Sequence, residues 1–390
     1  VGARAGTVDG QPRGEVMSED EVGEIELLGG EDSVDNDFAE TKPVTLSGHV
    51  YHDADDNGVM GPGETGIPDV IIRVPDRSNP PFMPLPLAPI EVRTDQYGYW
   101  EVSGLYPGEY SADEIQPPGY LDGQDALGTA GGTLHNDRVD GFNLASGDVA
   151  SDYDFGELVA SSISGRVIVD RNGNCVYDSG DKLLEGVTIF LLDASGKWSG
   201  PSAVTNHLGE YSFTELWPGV YGVEEEHPVE YFDSGDHVGT AGGTLAPPDS
   251  IRAITLVSGT KAEHYDFCEL EPVSISGYVY VDQNDNGSRQ GGETPIAGVE
   301  LQLLDAQGVA TGRTTTTDAE GFYCFDGLKP KEHYGVAEIQ PDGYFDGPDE
   351  AGSAGGKVHD DMITGAFLPP GTAAVNYNFG ELLPASISGY

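Results

Sequence analysis

The chain has 390 residues, with 67 Asp and Glu against 18 Lys and Arg, a formal charge of −49. Such acidity excludes binding that rests on neutralising phosphates, in nucleic acid or at an anionic membrane, and favours a cation-loaded, self-repelling particle. Its 56 glycines and 26 prolines imply turns and short strands, its length suits about three domains, and no apolar run is long enough to span a membrane.

Internal repetition sets the organisation. Ser162-Ile163-Ser164-Gly165 returns at 274–277 and 386–389, so Gly165, Gly277 and Gly389 follow at intervals of 112 residues. Leu46-Ser47-Gly48 opens an earlier copy, made longer by a Pro-rich insert from Pro80 to Pro89. Each copy closes alike, as Tyr153-Asp154-Phe155-Gly156-Glu157-Leu158, then Tyr265 to Leu270, then Tyr377 to Leu382. The repeats are therefore expected at 44–158, 162–270 and 274–382. Asp37-Phe38-Ala39-Glu40 stands before the first opening as Asp266-Phe267-Cys268-Glu269 stands before Ser274. Residues 1–41 are accordingly expected to be the back half of a degenerate preceding repeat and 386–390 the start of another, the whole a window on a longer array.

Within a repeat the apolar period is two. Ile163, Val167 and Val169 alternate with Ser164 and Arg166; Val299, Leu301 and Leu303 alternate with Glu300 and Gln302; Tyr323 and Phe325 flank Cys324. This marks half-buried strands, about seven per repeat, in a small antiparallel sandwich. Thr94-Asp95-Gln96-Tyr97-Gly98 and Thr317-Asp318-Ala319-Glu320-Gly321 read as hairpin turns between such runs.

After the first strand of each repeat comes a twelve-position loop with the spacing of a calcium site. Calcium takes six to eight oxygens, supplied at positions 1, 3 and 5, by the carbonyl of position 7, and by an acid at 12; a glycine at 6 allows the turn. The first loop offers Asp53, Asp55, Asn57, the Val59 carbonyl and Glu64. The second offers Asp170, Asn172, Asn174, the Val176 carbonyl, Asp178 at position 9 and Asp181. The third offers Asp282, Asn284, Asn286, the Ser288 carbonyl and Glu293. The middle copy is imperfect, with Cys175 where Gly58 and Gly287 stand. A polar loop whose side chains only cap their own turns is the rival reading, and recurrence in register weighs against it. Late in each repeat a pair of acids recurs, Asp122 and Asp125, Asp233 and Asp236, Asp346 and Asp349. These are open to two readings, an accessory calcium site or a solvated loop.

The three cysteines, Cys175, Cys268 and Cys324, suggest neither a disulfide framework nor a zinc spacing. Cys324 and Cys268 are expected to be partly exposed and unpaired within a repeat.

Val279-Tyr280-Val281-Asp282, the Asn-Gly loop, Gly292-Glu293, Ile296-Ala297-Gly298-Val299, Thr317-Asp318…Gly321-Phe322-Tyr323 and the closing Phe-Gly-Glu-Leu follow one another in order. Over about 44–382 the chain resembles the SdrD B-like relatives of the collagen-adhesin B-type domains of bacterial surface proteins. The resemblance implies prealbumin-like, Greek-key β-sandwiches in tandem, Ca2+ in the Asp-rich loop, and a stalk or spacer role at the cell surface or in a secreted protein. Some collagen-adhesin B domains carry a Lys–Asn crosslink; here no lysine lies in the opening strands, 46–52, 163–169 and 275–281, so calcium would do the stiffening. The expected partners are calcium ions and neighbouring repeats or like subunits, without nucleic acid or membrane insertion, and with a protein or glycan ligand left open.

Three rival readings stand beside this one. An enzyme lacks support, since the nine histidines include no zinc-binding helix pair and no Ser elbow or P-loop is present. A dockerin would run from its loops into helices, whereas Ile67-Pro68-Asp69-Val70-Ile71-Ile72 is β-branched. An adhesive module would place its site on a variable loop, for which Pro80-Pro81-Phe82-Met83-Pro84-Leu85-Pro86 is the candidate. Attachment of the array, as non-catalytic modules, to a larger secreted enzyme also stays open.

Overall fold

A computed structural model describes residues 2–18, 20–75 and 88–388. The Pro-rich candidate at 80–86 lies outside the described residues. Among those described, all regular structure is β-strand. The chain divides into two compact units, Val1–Ser161 with Glu215–Pro218 and Leu256–Thr260, and Ser162–Thr214 with Gly219–Thr255 and Lys261–Tyr390.

The first unit opens with three two-stranded sheets between residues 2 and 39. It continues as a sandwich. One sheet runs Tyr99–Leu105, Val44–His52, Phe155–Leu158, Leu121–Asp122; the other runs Thr133–His135, Arg138–Leu144, Gly108–Ile115, Ile71–Val74, Ile90–Arg93. Val44, Leu46 and Val50 face Ile72, Val74, Ala112 and Phe142 in one core. The second unit holds two more sandwiches of the same plan. In the later one Ile275, Val279, Leu301, Val336, Ile363 and Phe379 are fully buried. Each such side chain contributes about 1.5–3 kcal/mol on burial. The short strands alternate faces because the apolar period is two, as the sequence implies.

Two features depart from the simplest antiparallel expectation. The opening strand of each repeat lies parallel to the closing one, Val50 opposite Phe155, Val167 opposite Phe267 and Val279 opposite Phe379. The Thr-Asp-x-x-Gly turns are also not hairpins. Ile90–Arg93 and Tyr99–Leu105 sit in different sheets, as do Ala310–Thr316 and Phe322–Leu328. The turn carries the chain from one sheet to the other. Asp95 Oδ1 accepts the N–H groups of Tyr97 and Tyr99, and Asp318 Oδ1 those of Glu320 and Phe322. Thr94 and Thr317 each accept one backbone N–H and donate to one carbonyl in the neighbouring segment, at 2.7–2.9 Å. Side chains thus satisfy the backbone groups that a hairpin ladder would have paired.

The Ser-Gly that opens every repeat has a steric cause. A Cβ on Gly48, Gly165 or Gly277 would fall 1.8, 1.8 or 1.6 Å from the carbonyl oxygen of Tyr153, Tyr265 or Tyr377. In the last two repeats the same carbonyl accepts the O–H of Tyr211 or Tyr323 at 2.6 Å. Two backbones meet here at a distance only glycine permits.

Candidate metal centres

Each opening strand delivers its first loop acid into the interior: Asp53 and Asp170 are wholly buried and Asp282 is 1% exposed. An unpaired buried carboxylate is costly, and part of its demand is met by the loop's own amides. Asp53 accepts the N–H groups of Asn57 and Gly58 at 3.1 and 2.7 Å. Asp170 accepts those of Gly173 and Cys175, and Asp282 those of Asn284 and Gly287. The chain therefore curls around position 1, as the spacing requires. Positions 4 and 6 are left-handed in all three loops: Asp56 and Gly58, Gly173 and Cys175, Asp285 and Gly287.

The twelfth residue closes each ring. Glu64 accepts from Ala54 and Gly61 at 2.8 and 2.7 Å, and Asp181 from Arg171 and Asp178, both at 2.9 Å. Glu293 accepts from Gln290 at 2.7 Å, leaving its other oxygen buried without a partner. In the first loop Asp53, Asp55 and Glu64 bring carboxylate oxygens within 4.8 Å of one another. Asn57, Asn174 and Asn286 accept the N–H of Val59, Val176 and Ser288 at 2.8–3.0 Å. These are the Asx-turns of the rival reading, yet an amide oxygen has two lone pairs, and one stays available. Asp178 is tied to the amide nitrogens of Asn172 and Asn174 at 2.8 and 3.1 Å, and Asn284 donates to Gln290 in the third loop. An all-oxygen, carboxylate-rich ring of this kind fits a hard cation such as Ca2+.

The expectation for the cysteines is corrected. Cys175 and Cys268 form a disulfide within one repeat, with Cα atoms 5.5 Å apart, and Cys268 is 1% exposed. Spacing along the chain could not reveal this, because the closing strand returns beside the loop only through the parallel pairing of Val167 with Phe267. Cys324 is free and half-buried, and burial pushes its thiol pKa up.

A second set of acids converges in each repeat, and of these the sequence points only to Asp122 and Asp125. Asp122 and Asp125 meet Asp137, while Asp137 also meets Glu114 and Glu157; within each trio the oxygens lie within 4.8 Å. Glu338, Asp361 and Glu381 repeat the arrangement, and Glu225, Asp249 and Glu269 do so with His227 added. Glu157, Glu269 and Glu381 are wholly buried, and Glu114, Glu225 and Glu338 are 4–5% exposed. Both carboxylate oxygens of each of the latter three lack a hydrogen-bond partner. Desolvation and the neighbouring carboxylates push Glu114, Glu225 and Glu338 to about 10. Desolvation first, then nearby acids, raises Asp125 to about 7 and Asp349 to about 8. The missed signal was a glutamate at a core-facing strand position in every repeat, in Glu-x-Gln/His-Pro and in the closing Phe-x-Glu-Leu.

These tandem sandwiches, with acid clusters recurring in each repeat, define a repetitive protein of the β-sandwich class. The SdrD B-like domain family matches residues 161–268 and 273–365, and the chain belongs to it. It is 28% identical over 315 residues to serine-aspartate repeat-containing protein D of Staphylococcus aureus strain Newman, covering 76% of this chain and 22% of that protein. Protein F of Staphylococcus epidermidis is 29% identical over 322 residues, covering 77% and 17%. The chain thus spans about a fifth of the curated relatives it matches. Among solved structures, the Bacillus anthracis TIE protein is similar with a TM-score of 0.42 at 14% identity, over 90% of this chain and 54% of that one. BcpA, the major pilin subunit of Bacillus cereus, is similar with a TM-score of 0.36 at 11% identity, over 88% and 100%. No helix among the described residues is long and apolar enough to cross a membrane.

Proposed function

We propose that this chain is a calcium-stiffened structural array, a stalk or spacer in a surface or secreted protein, with repeats bounded at 44–158, 162–270 and 274–382. The observation that supports calcium best is the convergence of the buried Asp53 with Asp55 and Glu64, and the loops at Asp170 and Asp282 curl around a buried first acid in the same way. Asp122 and Asp125, which converge with Asp137, serve as an accessory cation site. Two successive matches to the SdrD B-like domain family support a repeated structural role, and neighbouring repeats or like subunits are its partners.

Calcium titration calorimetry of the whole chain tests this. At least three equivalents are expected, and Asp282→Asn with Glu293→Gln should remove one of the tight ones. Unchanged stoichiometry and affinity in that double variant would refute the loop assignment.

A further inference from the structure

The buried acid clusters of the three repeats differ at one position. Repeats one and three have Gln116 and Gln340, whose side-chain amides donate to Glu157 and Glu381. At the equivalent place the middle repeat has His227. Its Nε2 lies 3.1 Å from the carbonyl oxygen of Tyr231. With Nε2 donating that bond, the neutral ring carries its lone pair on Nδ1. Nδ1 is directed at the cluster, 3.5 Å from Glu269 Oε1 and 3.6 Å from Asp249 Oδ1, with no hydrogen bond made.

We propose that Glu225, His227, Asp249 and Glu269 form a binding site for a divalent transition ion, distinct in chemistry from the all-oxygen sites of the same chain. Four observations carry it. The four ligand atoms lie within 4.8 Å of one another. Glu269 is wholly buried and Glu225 is 5% exposed, and all four of their carboxylate oxygens are without partners. Two ligands at the usual zinc distances of about 2.0–2.2 Å on a tetrahedral ion stand roughly 3.3–3.5 Å apart, which matches the His227 separations and exceeds a good hydrogen bond. Finally, a ring nitrogen held by a backbone carbonyl, with the other facing carboxylates, is the arrangement that orients a histidine ligand. Imidazole shifts preference away from calcium toward zinc and its neighbours. The half-exposed edge of His227 gives the ion an entry path.

The test is zinc titration of the whole chain in excess calcium, in a Cys324→Ser background so that the free thiol does not compete. One tight equivalent is expected. Co2+ in its place should give visible absorption bands of a low-symmetry, four- or five-coordinate ion. His227→Gln, which installs the residue found in the other repeats, should weaken that equivalent at least about tenfold. Glu269→Gln should do the same, with melting in calcium checking that both variants fold. Conversely, Gln116→His should create a second zinc equivalent. The proposal is overturned if no zinc equivalent binds in calcium, or if it binds with equal affinity to folded His227→Gln.

Discussion

Cys175 of the middle loop is bonded to Cys268 on the closing strand, and each replaces a glycine, Gly58 or Gly287 in one case and Gly156 or Gly380 in the other. Cys175 holds the left-handed conformation, with φ 53° against 72° for both glycines. A side chain there costs about 1 kcal/mol, and the covalent bond to a buried neighbour holds it in place. One repeat has thus exchanged conformational freedom at the turn for a crosslink.

Two outcomes are expected from that exchange. Reduction should lower the stability of the middle repeat by about 2–4 kcal/mol, since the bridge closes a long loop, measurable as an earlier unfolding transition in reductant. The middle loop should also be the weakest of the three for calcium, by about tenfold or 1.4 kcal/mol, and weaker again when reduced. Equal affinities for the loops at Asp170 and Asp282, read from single-loop variants, would show that the crosslink fully replaces the glycine. In the oxidised native protein a thiol reagent should label Cys324 alone.

The glycines at the first crossing give a second prediction. Gly277→Ala would drive a methyl group into the Tyr377 carbonyl, and the two strands must part to admit it. A loss of about 1–3 kcal/mol is expected, with the Tyr323 O–H bond to Tyr377 weakened as well. Ser274→Ala, two-residue-periodic and on the same strand, should cost far less. Denaturant unfolding of the two variants makes the comparison.

The buried acids predict a pH dependence whose sign differs from that of ordinary salt-bridged carboxylates. Glu114, Glu225 and Glu338 stand at about 10 and Glu157 at about 8, all raised by desolvation first, against about 4.5 for an unfolded glutamate. Between these limits the folded chain holds protons that the unfolded chain has released. Stability contributed by these groups is therefore present in full below about pH 4.5 and is lost as pH rises through the folded values. In chelator the melting temperature should fall steadily from about pH 5 to pH 9. With calcium and zinc the fall should flatten, because a cation takes the place of the proton. A melting temperature that rises over this range in chelator would contradict the assignment.

The sequence carries the loops openly because all their ligands lie within twelve residues, and position 1 follows directly on a strand. It carries the strands for a similar reason, since a period of two needs only local reading. What it hides depends on the return of distant segments. Glu225, Asp249 and Glu269 come from three strands or turns spread along the middle repeat and meet only once both sheets have closed. Cys175 and Cys268 are 93 residues apart in sequence. The Thr317-Asp318 turn misleads because an Asp that satisfies its own turn looks the same whether the chain folds back within a sheet or crosses to the other.

Thermal unfolding of the whole chain, in calcium and then in excess chelator, bears most directly on the central claim. With calcium at ten to a hundred times its Kd, each ring should add about 1.4–2.7 kcal/mol, so several rings together should raise the melting temperature markedly and in proportion to the number left intact. Asp53→Asn, Asp170→Asn and Asp282→Asn should each remove part of the rise. A melting temperature that is the same with calcium and with chelator would contradict a calcium-stiffened array.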